Sequence, residues 1–142
     1  MKTILDEIKD DRIMNQIKLL DNEKFLDSLM NISTHMRYVM IYDLKGDIMY
    51  KRKKAGVVDL LTEKQNKIAL NHTIDSWNFR NSLSEQIGDA KYTLQVYENL
   101  VRVIFPFGKE MLLVVTLDND ESSQNHIVER VQKILSGNYK YL

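Results

Sequence analysis

From Ile4 to Ile32, apolar residues recur mostly at intervals of three to five, and no proline or glycine interrupts them. Spacing of this kind places apolar side chains on one face of a helix. Asp21 is suited to cap a second helix over residues 22–31, because its carboxylate can accept hydrogen bonds from free backbone N–H groups. The pattern therefore predicts either two helices or one long bent helix.

Two extended segments rich in β-branched and aromatic residues follow. Residues 37–43 and 48–51 have the composition of strands. Lys45 and Gly46 lie between them, and glycine reaches positive φ without steric cost. These features predict a β-hairpin.

One long helix is predicted after the hairpin. Thr62 and Gln65 have the spacing of a capping box, and Gly88 is suited to end the helix. Between them, side chains at steps of three or four form a predicted inner face, and a narrower apolar strip lies beside it. The predicted inner face comprises Ile68, His72, Ser76, Phe79, Leu83 and Ile87, and the narrower strip comprises Leu70, Ile74 and Trp77. A break near residues 71–76 stays open, since the segment exceeds the length of an average helix.

The last third of the chain has the pattern of three strands and a helix. Tyr92–Tyr97 alternates apolar and polar positions, and the segment 100–107 places Val101, Val103, Phe105 and Phe107 on one face. Pro106 is expected at the end of that strand or in a bulge, because proline has no N–H. Met111–Leu117 is almost entirely apolar, which predicts a central strand covered on both faces. An amphipathic helix closes the pattern before a short tail, residues 138–142.

These elements predict an α+β fold. Their order is one or two helices, two strands, a helix, three strands and a final helix. Two strand units separated by a helix indicate one central five-stranded antiparallel sheet with helices on its faces.

Composition narrows the class of protein without identifying its function. The 142 residues are enough for one domain, and the formal net charge of zero argues against a general nucleic-acid binder. The lack of cysteine excludes disulfides, thiol nucleophiles and cysteine-ligated metal sites. No stretch reaches the roughly 18 apolar residues of a membrane span, and the first residues lack the apolar core of a signal peptide. A cytoplasmic protein is therefore expected.

The sequence carries no motif for catalysis, metal binding or cofactor binding. His35, His72 and His126 lie in separate predicted elements, and none has the spacing of a metal motif. For His72, a core or interface histidine is favoured over a ligand. Residues 118–121 favour helix capping over a calcium loop, which would need a glycine at its sixth position. With no nucleophile elbow or phosphate-binding loop, the sequence predicts a protein that is not an enzyme and needs no cofactor.

One dense run of positive charge follows the predicted hairpin. It comprises Lys51, Arg52, Lys53 and Lys54. A solvated loop is the favoured interpretation of such a run. A patch that binds an anionic partner stays open as the alternative.

The order of elements and two segments resemble the Roadblock / dynein light chain superfamily, whose fold belongs to the wider profilin-like group. Residues 43–50 look like that family's first hairpin, with an acidic residue and a glycine turn before an apolar strand. Residues 103–115 resemble its fourth and fifth strands, including a Pro-x-Gly turn. The resemblance covers residues 22–137 and leaves residues 1–21 as an additional N-terminal helix.

The resemblance implies a small, non-enzymatic interaction or scaffold module that forms dimers. In the family, the third strands of two subunits pair edge to edge and the second helices pack together. The interface that this implies comprises Leu70, Ile74, Trp77, Tyr92, Leu94 and Val96. A second apolar strip and an open strand edge are also independent signs of an interface. The alternative is that the N-terminal helix of the same subunit covers Ile74 and Trp77.

The resemblance also indicates a partner. Prokaryotic members of the family often bind or regulate small Ras-like GTPases, so we expect a homodimer that serves such a GTPase or another regulatory protein. We expect neither a membrane nor a nucleic acid as a partner.

A small-molecule sensor similar to PAS domains is the alternative function. That fold also runs two strands, helices and three strands, but it usually has several short helices around a cavity. Residues 57–88 predict one capped helix with at most one break, which favours the Roadblock-like module.

Overall fold

The computed structural model describes residues 23–120 and 124–137. The predicted additional helix over residues 1–21 and the predicted tail lie outside this range. In the described residues, the order of elements agrees with the prediction. The helices are α1 (23–30), α2 (Glu63–Asn81), α3 (Ser84–Ile87) and α4 (Gln124–Gly137), and the strands are β1 (Met36–Asp43), β2 (Ile48–Lys53), β3 (Thr93–Val96), β4 (Leu100–Phe107) and β5 (Met111–Asp118).

The strands form one antiparallel sheet in the order β2-β1-β5-β4-β3. The central position of β5 explains its apolar sequence, because six consecutive residues from Leu112 to Leu117 are buried. β2 and β3 are the two edge strands. The five-stranded antiparallel sheet predicted from the sequence is confirmed.

The turn between β1 and β2 uses the predicted glycine. Gly46 has a φ of +97°, which L side chains rarely adopt. The Asp43 carboxylate accepts hydrogen bonds from the backbone N–H groups of Lys45 and Asp47, both at 2.9 Å. β2 continues to Lys53, so part of the predicted basic loop is strand.

Pro106 lies at a position where its missing N–H costs no hydrogen bond between strands. It pairs with Leu112 of β5, but the pairing of β4 with β3 ends at Ile104. No neighbouring strand therefore requires a hydrogen bond from this end of β4 on its β3 side, as the sequence predicted.

Helices cover both faces of the sheet. α1 and α4 pack on one face, where the rings of Phe25 and Phe107 lie 5.3 Å apart between centroids. α2 packs on the other face through Ile74 and Trp77, which contact a smaller apolar cluster. The sheet residues of that cluster are Tyr42, Ile104, Leu112 and Val114. Each strand supplies both layers because its side chains alternate between the faces.

α2 begins at the predicted capping box. The Gln65 backbone N–H donates to Thr62 Oγ1 at 3.1 Å, and the Thr62 N–H donates to Gln65 Oε1 at 2.9 Å. The helix continues without a break to Asn81, and one further turn, α3, ends at Gly88. The segment between β2 and β3 is thus one long helix and one short turn, the feature that favoured the Roadblock-like fold over a PAS-like one.

The predicted orientation of α2 is wrong. Ile74 and Trp77 are 6% and 5% exposed and face the sheet, whereas Phe79 is 67% exposed and His72 is also exposed. Both faces of this helix carry apolar side chains, so their spacing defines two strips but does not determine which one contacts the sheet. The narrower strip is the inner face.

Candidate functional site

The two edges of the sheet differ in charge. β2 carries Lys51, Arg52 and Lys53, and lysine at an edge opposes pairing with another strand. β3 has the sequence Thr-Leu-Gln-Val and contains no charged residue. The β3 edge is therefore the one suited to pairing with another strand.

The free backbone groups of β3 belong to alternate residues. The Tyr97 N–H donates to the Leu100 carbonyl at 2.8 Å, so Tyr97 points its backbone groups toward β4. Because antiparallel hydrogen bonds fall on alternate residues, Gln95 also points toward β4, and Leu94 and Val96 point outward. Val96 is 54% exposed. Among the described strands, none pairs with the outward N–H and C=O groups of these two residues.

An apolar strip is exposed on the side of α2 that faces away from the sheet, and it continues into α3. We call this the outer strip; it comprises Ile68, Phe79, Leu83 and Ile87. Only residues 88–92 separate its end from β3 in the chain. Clustered apolar side chains of this kind often mark interaction surfaces.

The structure separates the six predicted interface residues into two groups. Tyr92 and Val96 are exposed on or beside the edge strand, and Leu94 is partly buried against the α1–α4 layer. Ile74 and Trp77 are buried within the subunit, and Leu70 packs against them. Ile74 and Trp77 therefore contribute their area to the subunit's own core, and an interface role for these three residues stays a prediction. The alternative of cover by the N-terminal helix falls on residues 1–21, which lie outside the described residues.

Sequence reasoning placed the outer strip on the wrong side of α2. Its spacing predicts one helical face but does not indicate which side of the helix contacts the sheet. The pair Ile74 and Trp77 could have identified the inner face of α2, because a tryptophan and an isoleucine one turn apart supply a large apolar area to a core.

Arg52 of the basic run connects two elements. Its guanidinium forms ion pairs with Glu23 and Asp27 of α1. This arrangement positions α1 over β2. Arg52 is thus engaged within the subunit and is not a free positive charge.

The three lysines of the basic run also have partners within the subunit. A hydrogen bond from Lys53 lowers the pKa of the Asp59 carboxyl. The contacts are Lys53 Nζ to Asp59 Oδ1 at 3.0 Å, Lys51 Nζ to the ring centroid of Tyr38 at 5.3 Å, and Lys54 Nζ to the carbonyl of Thr34. An anionic partner for this run stays a prediction, and it would have to compete with these contacts.

The histidines remain apart. His35 Nε2 lies 3.1 Å from Asp120 Oδ2, while His72 and His126 are exposed. Within residues 23–120 and 124–137, no group of three or more histidine, aspartate or glutamate side chains is arranged to hold a metal ion. In the same part of the chain, no helix is both long and apolar enough to cross a bilayer.

A cavity of about 560 Å³ lies between α2 and the sheet. Tyr42 and Arg102 line it, and both are buried. Burial raises the pKa of Tyr42 to about 12, and the Thr73 hydroxyl and the charge of Arg102 partly oppose this increase. Thr73 donates its own hydroxyl proton to the Ala69 carbonyl at 2.9 Å.

The raised pKa of Tyr42 predicts a loss of stability at high pH. The folded protein holds the phenol proton more tightly than the unfolded chain, so this stability is retained below pH 10 and lost as the pH rises toward 12. The loss is on the order of 2 kcal/mol. Urea denaturation across this range should show a smaller decrease for Tyr42→Phe than for the wild type. An unchanged pH dependence in the variant would contradict the assignment.

Comparison with known proteins gives matches only among solved structures. No protein-family model matches the sequence, and no curated protein matches it. A solved structure described as MglB with a tetrameric arrangement has a TM-score of 0.68 at 12% identity, over 87% of this chain and 89% of that one.

Two further solved structures agree. Myxococcus xanthus MglB has a TM-score of 0.65 at 15% identity, over 85% of this chain and 86% of that one. A Roadblock/LC7 domain from Streptomyces avermitilis has a TM-score of 0.62 at 10% identity, over 83% of this chain and 94% of that one. The chain therefore has the Roadblock/LC7 fold, and the resemblance stated from the sequence is confirmed at the level of fold.

Proposed function

We propose that this Roadblock-fold protein is a non-enzymatic interaction module that forms a homodimer through β3. The observation that carries the proposal is the contrast between the two sheet edges. β2 carries positive charge, whereas β3 is uncharged and directs the backbone groups of Leu94 and Val96 outward. An exposed edge of this kind binds another strand by main-chain hydrogen bonds.

A second copy is the partner that this edge suits best. Two β3 strands can pair antiparallel about a twofold axis, so that each supplies the same surface to the other. The two sheets would then continue into one. We assign the outer strip to the same association, because the family resemblance implies contact between the helices that correspond to α2. Phe79 and Ile87 are the most exposed members of this strip, at 67% and 79%.

The partner of the dimer is proposed to be a small Ras-like GTPase or another regulatory protein. The resemblance of the sequence to the Roadblock superfamily supports this partner, and the fold is shared with solved MglB structures. At these identities the likeness carries the fold alone, so the partner is identified only by experiment.

Light scattering on the full chain tests the dimer. At tens of micromolar, the expected mass is about twice the 16.7 kDa of one chain. A mass of one chain at that concentration would contradict the proposal. Binding measurements against the small GTPases of the same organism, each loaded with GDP and with a GTP analogue, then test the partner. Absence of binding in both nucleotide states would argue against a GTPase and would leave the dimer to be judged by its mass.

A further inference from the structure

A row of polar side chains crosses the sheet beneath α2. The strand register places Gln95, Arg102, Thr116 and Tyr38 next to one another on β3, β4, β5 and β1. All four lie on the face that α2 covers, because the alternate residues of these strands belong to the opposite layer. Polar residues at the centre of a covered sheet face require hydrogen-bond partners.

Most of these polar groups have no partner in the described part of the chain. Three buried side-chain oxygens on this face form no hydrogen bond there; they belong to Thr93, Gln95 and Thr116. Arg102 is 9% exposed and forms no ion pair or side-chain hydrogen bond with any residue in 23–120 or 124–137. A buried guanidinium without a counter-charge is costly, since its loss of hydration is not compensated.

Arg102 lines the cavity between α2 and the sheet. Acidic residues also line this cavity, but Asp59 forms its ion pair with Lys53, and neither Asp47 nor Glu63 is paired with Arg102. The guanidinium is thus the most deeply buried charge in the lining, and no carboxylate of residues 23–120 or 124–137 forms an ion pair with it.

The rest of the lining suits a compact organic molecule. Met40, Leu70 and Val114 provide an apolar surface next to Arg102. The volume of about 560 Å³ falls within the range of roughly 300–1,000 Å³ that is usual for small-molecule sites. Such sites combine an apolar lining with a few polar groups that fix the orientation of the ligand.

We propose that this cavity binds a small organic anion. The carboxylate or phosphate of the ligand is held by the guanidinium of Arg102, and its apolar body lies against Met40, Leu70 and Val114. A guanidinium matches either anion because it donates two parallel hydrogen bonds. The hydroxyl of Tyr42 is a further donor in the same cavity. This site is separate from the β3 edge and the outer strip, so it does not depend on the proposed dimer.

Nuclear magnetic resonance on the full chain tests the site with three probes. Benzoate and phenyl phosphate carry the anion on an aromatic body, and benzamide is the neutral match. Titration with either anion should shift the Nε–H signal of Arg102 and the amide signals of β4 and β5, and benzamide should bind about tenfold more weakly or worse. The proposal would be overturned if all three probes bound equally, if none bound, or if the shifts were confined to the outer strip.

Two variants and a control separate a specific site from surface binding. Arg102→Met should weaken binding of both anions by about tenfold or more. Leu70→Trp should block the cavity while leaving Arg102 in place, so it tests the proposal even where Arg102→Met fails to fold. Lys109→Met removes the same charge from an exposed turn and should bind like the wild type. Wild-type affinity in a folded Arg102→Met or Leu70→Trp protein would overturn the assignment.

Discussion

Val96→Lys is expected to convert the proposed dimer into a monomer. The substitution places a charged side chain on the edge strand β3, and in a twofold pair each copy adds one such charge to the same interface. Like charges at an interface cost several kcal/mol, so we expect dimer affinity to fall by roughly a hundredfold or more. Sedimentation equilibrium over a range of concentrations measures this change directly.

The protomer itself should tolerate Val96→Lys. Val96 is 54% exposed, and its backbone N–H points away from β4. Exposed substitutions of this kind usually change the free energy of unfolding by less than about 0.5 kcal/mol. A folded variant with wild-type dimer affinity would show that β3 is not the interface.

Val58→Lys is the matched control. Val58 is 76% exposed in the connection between β2 and α2, so the same change adds the same charge far from β3 along the chain. We expect this variant to remain a dimer. Equal dissociation of both variants would indicate a general effect of net charge and not strand pairing.

The second large effect is expected from Trp77→Ala. Trp77 is 5% exposed and packs with Ile74 against the sheet, where it holds α2 in place. Removal of a buried aromatic side chain typically costs about 3–5 kcal/mol, a large share of the roughly 5–15 kcal/mol that stabilises a domain. Urea denaturation should show a much lower midpoint than the wild type, at a protein concentration that is the same for all variants.

Phe79→Ala is the control on the same helix. Phe79 is 67% exposed, so its truncation removes little buried area and should change the unfolding of the monomer by less than about 1 kcal/mol. Its effect should appear in dimer affinity instead. The observed orientation of α2 would be contradicted by either of two results. One is an equal loss of protomer stability in both variants, and the other is a Trp77→Ala protein as stable as the wild type.

Local features of this fold could be predicted from the sequence. The turn at Gly46, the capping box of Thr62 and Gln65 and the apolar strand β5 each depend on residues close together in the chain. Steric limits on φ, hydrogen bonds over three residues and the alternation of side chains act at that range. The element order followed from these signals.

The candidate sites depend on contacts between residues far apart in the chain, and the order of apolar and polar residues does not reveal these contacts. Lys51, Lys53 and Lys54 form a dense positive run in the sequence, yet each meets a partner from another part of the chain. Arg102 gave no signal, because one charged residue within an apolar strand does not reveal whether an acid lies beside it. The pairing of the strands beneath α2 determines which residues lie beside Arg102.

Local periodicity, turns and caps specify the described elements and their order, and the Roadblock-like resemblance follows from that order. Tertiary structure alone decided which strip of α2 faces the sheet, which sheet edge is free and where Arg102 is buried. These outcomes depend on residues far apart in the chain, such as Trp77 and Leu112 in one apolar cluster or Arg102 and Thr116 in one row. Competition between two apolar strips for one sheet face is settled by the total area that packing buries, and that area exists only once the sheet has formed.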